Sequence, residues 1–171
     1  LVNDAGFGLD LDFAANDYAD EARHHDVHVR ATMRLSHAAL RAMLARGGGR
    51  IVNVASVAGF MPRGTYGAVK AWVISFSRWA NAVYGPRGVT VTAVCPGFTH
   101  TDFHRRMGLP PGAEGVPSFL WLDAADVVRD GLDDAARGKA VSIPSLRYKV
   151  LVGAMRVLPA PLAARLARTG R

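Results

Sequence analysis

Apolar and polar positions fall into blocks whose period switches along the chain. Residues 18–46 carry Val27, Ala31, Leu35, Ala38, Ala39, Ala42 and Met43 near the 3.6-residue period of a helix, and Gly47, Gly48 and Gly49 stop it. "IVNVAS" (51–56) is a short, continuous, β-branched run of the kind that forms a strand covered on both faces. A second helix is predicted over 66–84, with Val69, Trp72, Val73, Phe76, Ala80 and Val83 on one face, and Gly85-Pro86 ends it. "VTVTAV" (89–94) reads as another buried strand. A helix over 123–138 is expected to turn Val127, Val128 and Leu132 inward, and "AVSIP" (140–144) is a last short strand. "LVNDAG" at the start reads as a strand end running into a turn. Strands alternating with helical patterns predict an α/β fold with a parallel sheet.

Two stretches lack clean periodicity. Residues 98–122 mix Pro110, Pro111 and Pro117 with Phe98, Phe103, Met107, Phe119 and Trp121, and their place after a strand predicts a substrate lid. The tail, 146–171, is apolar and basic and is broken by Pro159 and Pro161. It is expected to pack over the pocket or a second subunit; peripheral membrane contact is the weaker alternative.

Composition narrows the class. The 171 residues suffice for a single domain with a real core, half of them are apolar, and no run approaches a membrane span. Cys95 is the only cysteine, so no internal disulfide can form, and a cytoplasmic location is the expectation. Net charge is +7, but the arginines are scattered rather than striped, which argues for a solvated surface and against nucleic-acid binding. His24 with His28 and His100 with His104 have helical i, i+4 spacing without a third ligand nearby. Surface histidines account for them better than a metal does.

"YGAVK" (66–70) sets Tyr66 and Lys70 one helical turn apart. An ammonium beside a phenol favours the phenolate, so Lys70 is expected to bring Tyr66 down toward neutrality and make it a general acid or base. Such a pair also arises by chance on amphipathic helices. Its setting adds weight: Ser56 ends a predicted buried strand, and ligands of open α/β sheets sit beyond the carboxyl ends of strands.

"LVNDAG", "NVASVAG", "YGAVK" and "VTVTAVCPGFTHT" together, in this order, resemble the short-chain dehydrogenase/reductase family, from Leu1 to about Pro144. The resemblance implies a Rossmann-like doubly wound parallel sheet and hydride transfer between a nicotinamide, NADP or NAD, and the carbonyl or hydroxyl carbon of an alcohol or ketone. It implies that Ser56 orients the substrate oxygen, that Tyr66 is the acid/base and that Lys70 assists it and holds the nicotinamide ribose. Asn3, Ala5, Gly6, Pro96, Gly97 and Thr101 match cofactor-lining positions, and His28 stands where the family has a proton-relay asparagine. A homo-oligomer, dimer or tetramer, is expected as well.

There are departures. Asp4 replaces a second asparagine, and the interval between Ser56 and Tyr66 is short. The glycine-rich phosphate turn has no counterpart, since "GGG" at 47–49 follows a helix and precedes a strand, the reverse of a phosphate cradle. The chain therefore reads as a single, partial domain lacking the first strands of the family fold. Two functions follow: an oxidoreductase for a lipophilic alcohol or ketone, or a non-catalytic remnant that has lost cofactor binding. His28 is further expected to titrate near 6.5 and so to impose an acid limb on turnover.

Overall fold

The computed structural model describes residues 1–103 and 115–157. Four parallel strands, β1 (Val2–Asn3), β2 (Gly49–Val54), β3 (Val89–Val94) and β4 (Val141–Ser142), form one sheet in the order β1-β2-β3-β4. Val2 pairs with Val52, Val52 with Thr92, and Ala93 with Val141. The helices are α1 (Tyr18–His25), α2 (Thr32–Ala45), α3 (Gly64–Tyr84), α4 (Ala124–Ala136) and α5 (Leu146–Val157).

Strand alternation divides the core between two faces. Ile51, Val89 and Val91 pack with Leu40, Met43 and Ala80 from α2 and α3. Val52 and Val94 face the other way and meet Ala135 of α4. Burial of Ile51, Val52 and Asn53 in β2 and of Val91 through Val94 in β3 suits strands covered on both faces. The doubly wound parallel architecture expected from the sequence is the one found.

Two predicted helix faces are corrected. In α4, Val127, Gly131 and Ala135 are buried, whereas Val128 and Leu132 are 57% and 50% exposed. Glycine carries no hydropathy signal, yet a Cβ at Gly131 would lie 3.0 Å from Val94, so the helix approaches the sheet there. The predicted helix 18–46 is α1 and α2 joined by one stretch of π-helix, Asp26–Ala31. Its buried side is Glu21, His24, His28, Thr32, Ser36, Leu40 and Met43, while Leu35 is half exposed and Ala31, Ala38 and Ala42 face out.

Ser36 on that face meets a polar partner. Asn3 donates to Ser36 Oγ at 3.2 Å and to Asn53 Oδ1 at 2.8 Å, and Asn53 donates to Ser77 Oγ at 3.0 Å. Buried polar groups persist when bonded to one another, and this network ties α2, β1, β2 and α3 together.

The described part of the tail is α5, which buries Tyr148, Val152 and Met155. Residues 158–171 of the tail and 104–114 of the expected lid lie outside the described residues. Within the rest of the lid stretch, Thr99 bridges Leu122, and Ser118–Leu120 make one short 3-10 turn. Among the described residues no helix is long and apolar enough to cross a membrane.

Candidate active site

Ser56 follows β2 immediately and caps a 3-10 turn, Val57–Phe60, its Oγ accepting the Ala58 N–H at 3.1 Å. The turn lies flat on α3 because residue 59 is glycine: a Cβ there would sit 2.8 Å from the Ala71 nitrogen and from Ile74. This close approach makes the short interval between Ser56 and Tyr66 workable. It brings the Ser56 hydroxyl within hydrogen-bonding reach of the Tyr66 phenol.

Lys70 is 4% exposed, donates to the Val54 carbonyl at 2.7 Å, and holds its ammonium 5.7 Å from the centre of the Tyr66 ring. Burial lowers its pKa to about 8, opposed by the nearby Asp4 charge. Tyr66 differs from the expectation. Burial pushes its pKa up to about 12, with the Ser56 hydrogen bond and the Arg63 charge pulling the other way. The lysine does not bring the phenol toward neutrality here: burial of the phenol dominates, and the ammonium is bonded to the Val54 carbonyl. At neutral pH Tyr66 is a protonated acid.

His24 and His28 are not on the surface; they are 1% and 2% exposed. The π-turn rolls the helix so that His28 meets Tyr66 edge to face, ring centres 5.8 Å apart, with the His24 ring 4.5 Å from His28 and 6.1 Å from Tyr66. His28 Nε2 lies 3.1 Å from the Phe7 nitrogen and 2.8 Å from the Phe7 oxygen. Burial, reinforced by Lys70, lowers its pKa to about 3. The expected titration near 6.5 is thereby overturned, since an imidazolium would be desolvated beside another cation. His100 stays exposed and stacks on Trp121.

Ser56, Tyr66 and Lys70 line one cavity of about 830 Å³ at the carboxyl ends of the strands. Gly6, Pro96, Gly97 and Thr101 line it too. Asn3, Ala5 and His28 do not: Asn3 spends its amide on Ser36 and Asn53, and His28 stands behind Tyr66. The sequence reading missed Arg63, Asp4 and Met61 among the lining residues. Arg63, three positions before Tyr66, was findable from spacing; Asp4 and Met61 enter through loop geometry that no periodicity encodes. Tyr148 was missed as well. Its hydroxyl accepts the Phe98 N–H at 3.0 Å and donates to the Leu120 carbonyl at 2.8 Å, pinning the segment after Gly97.

A parallel sheet with a serine, tyrosine and lysine gathered beyond its strand ends defines an α/β protein of dehydrogenase type. The short chain dehydrogenase family profile matches residues 1–109, and the chain belongs to that family. It is 34% identical over 120 residues to a 3-oxoacyl-[acyl-carrier-protein] reductase of Synechocystis, covering 68% of this chain and 49% of the relative. The Escherichia coli 3-oxoacyl-[acyl-carrier-protein] reductase FabG is 36% identical over 116 residues, covering 63% and 45%. The chain thus spans about half the length of these curated relatives. Among solved structures, a short-chain dehydrogenase from Sphingobium yanoikuyae in complex with NADPH matches at TM-score 0.78 and 30% identity, over 91% of this chain and 62% of that one. A bulky-bulky ketone specific alcohol dehydrogenase from Comamonas testosteroni matches at TM-score 0.71 and 29% identity, over 92% and 62%.

Proposed function

We propose that the protein is a nicotinamide-dependent oxidoreductase interconverting a carbonyl and an alcohol on a lipophilic small molecule. One observation carries the reading: the Ser56 hydroxyl, the Tyr66 phenol and the Lys70 ammonium converge on a single cavity at the strand ends. The donor set suits the cofactor. An ammonium offers three donors, of which the Val54 carbonyl takes one, so Lys70 with Tyr66 could hold ribose hydroxyls, and Gly97 and Thr101 on the same cavity would be available to the nicotinamide. NADP or NAD bound there would supply or accept the hydride.

The chain's own residues would handle the oxygen. Ser56 donates a hydrogen bond to the substrate carbonyl oxygen, and Tyr66, protonated at neutral pH, gives that oxygen its proton. Lys70, titrating near 8, can return a proton to the phenolate within the working range. In the oxidative direction the same proton moves back. Leu11, Met61, Phe98 and Phe103 on the cavity wall support an apolar substrate body. A second copy of the chain is the natural cover for Leu35, Trp79 and Val83, each 42% exposed or more on the outer side of α2 and α3.

The test follows loss of reduced nicotinamide absorbance across a panel of aliphatic and aromatic ketones, beside hydrophilic sugars. The reading expects turnover that rises with ketone lipophilicity. Turnover with none of the panel would reject it. The non-catalytic alternative would then stand.

A further inference from the structure

α5 is apolar on two opposite sides. On the inner side Tyr148 and Val152 pack with Val57, Met61 and Leu120, and the Tyr148 hydroxyl holds Phe98 on the cavity wall. On the outer side Leu146 and Val150, one turn apart, are 74% and 65% exposed, and Gly153 continues the same line. Phe119, 62% exposed, is tied to this helix, its carbonyl accepting from the Arg147 guanidinium. A surface helix of a globular protein ordinarily turns charged or polar residues outward. The outer line of α5 has none.

The charges of α5 lie beside that line instead. At about 100° per residue, Arg147 and Lys149 fall on opposite shoulders of it, and both are exposed. The carbonyl that Arg147 meets is neutral and leaves its charge in place. No acidic residue offsets these cations along the chain. From Leu146 onward the sequence carries Arg147, Lys149, Arg156, Arg165, Arg168 and Arg171, and no aspartate or glutamate.

We propose that the outer face of α5, together with Phe119, docks on an anionic lipid bilayer, lying in its surface without crossing it. An apolar line bordered by cations is the layout of an interfacial helix: Leu146 and Val150 enter between the headgroups while the lysine and arginine stems reach back to the phosphates. A second copy suits this face poorly. A two-fold axis there would set the same cations against one another, with no acid on the helix to pair them. Docking through α5 also sets Phe98 and the cavity beside the lipid, where an apolar substrate accumulates. The docking itself does not depend on the oxidoreductase reading.

Co-sedimentation of the 171-residue chain with vesicles of phosphatidylcholine alone, and with a third of it replaced by phosphatidylglycerol, tests the proposal. Neither nicotinamide nor ketone is present, so the result stands apart from any result on turnover. The chain should bind the anionic vesicles and lose most of that binding in high salt. A cation near such a surface contributes roughly fivefold in binding, equivalent to about 1 kcal/mol. Lys149→Glu should therefore weaken binding at least fivefold, and Leu146→Ser with Val150→Ser should weaken it at least tenfold. Arg41→Glu, the same charge change at an exposed position on α2, should have a smaller effect. Thermal melts accompany each variant, and the comparison of Lys149→Glu with Arg41→Glu decides the question if the serine variant melts early. Equal binding to the two kinds of vesicle, no binding to the anionic ones, or equal losses in Lys149→Glu and Arg41→Glu would overturn the proposal. So would a serine variant that binds vesicles like the wild type but has a smaller mass in solution, since that assigns the face to a second copy.

Discussion

The Lys70 ammonium donates to the carbonyl of Val54, the last residue of β2, across 2.7 Å, while lying 5.7 Å from the centre of the Tyr66 ring. The Lys70 side chain is therefore anchored to the sheet. Its burial also gives it a measurable signature. The folded chain releases the Lys70 proton near pH 8, whereas the unfolded chain keeps it to about 10.5.

Between those values the unfolded state binds more protons, so raising pH stabilises the fold. Tyr66 acts in the opposite sense only above pH 10, where the unfolded chain loses a proton that the folded chain holds to about 12. From pH 8 to 10 the wild type should gain roughly 1–3 kcal/mol relative to Lys70→Met, whose urea midpoint should lack that rise. Parallel slopes for the two proteins would show that Lys70 is not buried as described.

His28 gives the acid-side counterpart. Its folded pKa is about 3 against 6.5 unfolded, so the unfolded state takes up the extra proton as pH falls through that interval. Stability should therefore decline from pH 6.5 toward 3, and His28→Asn should decline less steeply. His24, also lowered by burial, adds to the decline in both proteins. For turnover, no acid limb near pH 6.5 is expected from His28. Denaturant midpoints across that range, with pH–rate profiles beside them, check both statements.

Gly97 is held against Tyr148 so closely that a Cβ would fall 1.9 Å from the ring carbon Cζ. Gly97→Ala should destabilise the chain by roughly 1–3 kcal/mol, the ordinary range for overpacking. Pairing it with Tyr148→Leu should recover part of that loss, because the clash and the ring disappear together. Thermal melts of the two single variants and the double variant measure the coupling, and strict additivity would contradict the contact.

The strands and the Ser56, Tyr66 and Lys70 constellation were legible because each leaves a local mark: a continuous β-branched run, a strand end, an i, i+4 pair. The buried side of α1 and α2 was not. Periodicity assigns inward positions to apolar residues, and here Glu21, His24, His28, Thr32 and Ser36 turn in, with Asn3 meeting Ser36 and the Phe7 backbone meeting His28. One π-turn then shifts every later position relative to a 3.6-residue count. The direction of the Tyr66 shift was misread for a related reason. Spacing shows that a lysine is near a tyrosine, but not that its ammonium bonds the Val54 carbonyl or how deeply the phenol is buried. Arg63 shows a residue whose position was readable while its orientation into the cavity was not.

The central claim is that Tyr66 supplies the proton in a nicotinamide-dependent carbonyl reduction. Tyr66→Phe keeps the ring that packs against His28 and Phe103 and removes only the hydroxyl. The measurement is kcat for a lipophilic ketone at saturating NADPH, wild type against Tyr66→Phe, with NADPH affinity determined for both. General acid catalysis contributes about 10²–10⁴-fold, so kcat should fall by at least that lower bound while NADPH affinity changes little. A loss of less than about threefold, or a wild type that turns over no ketone at all, would contradict the account.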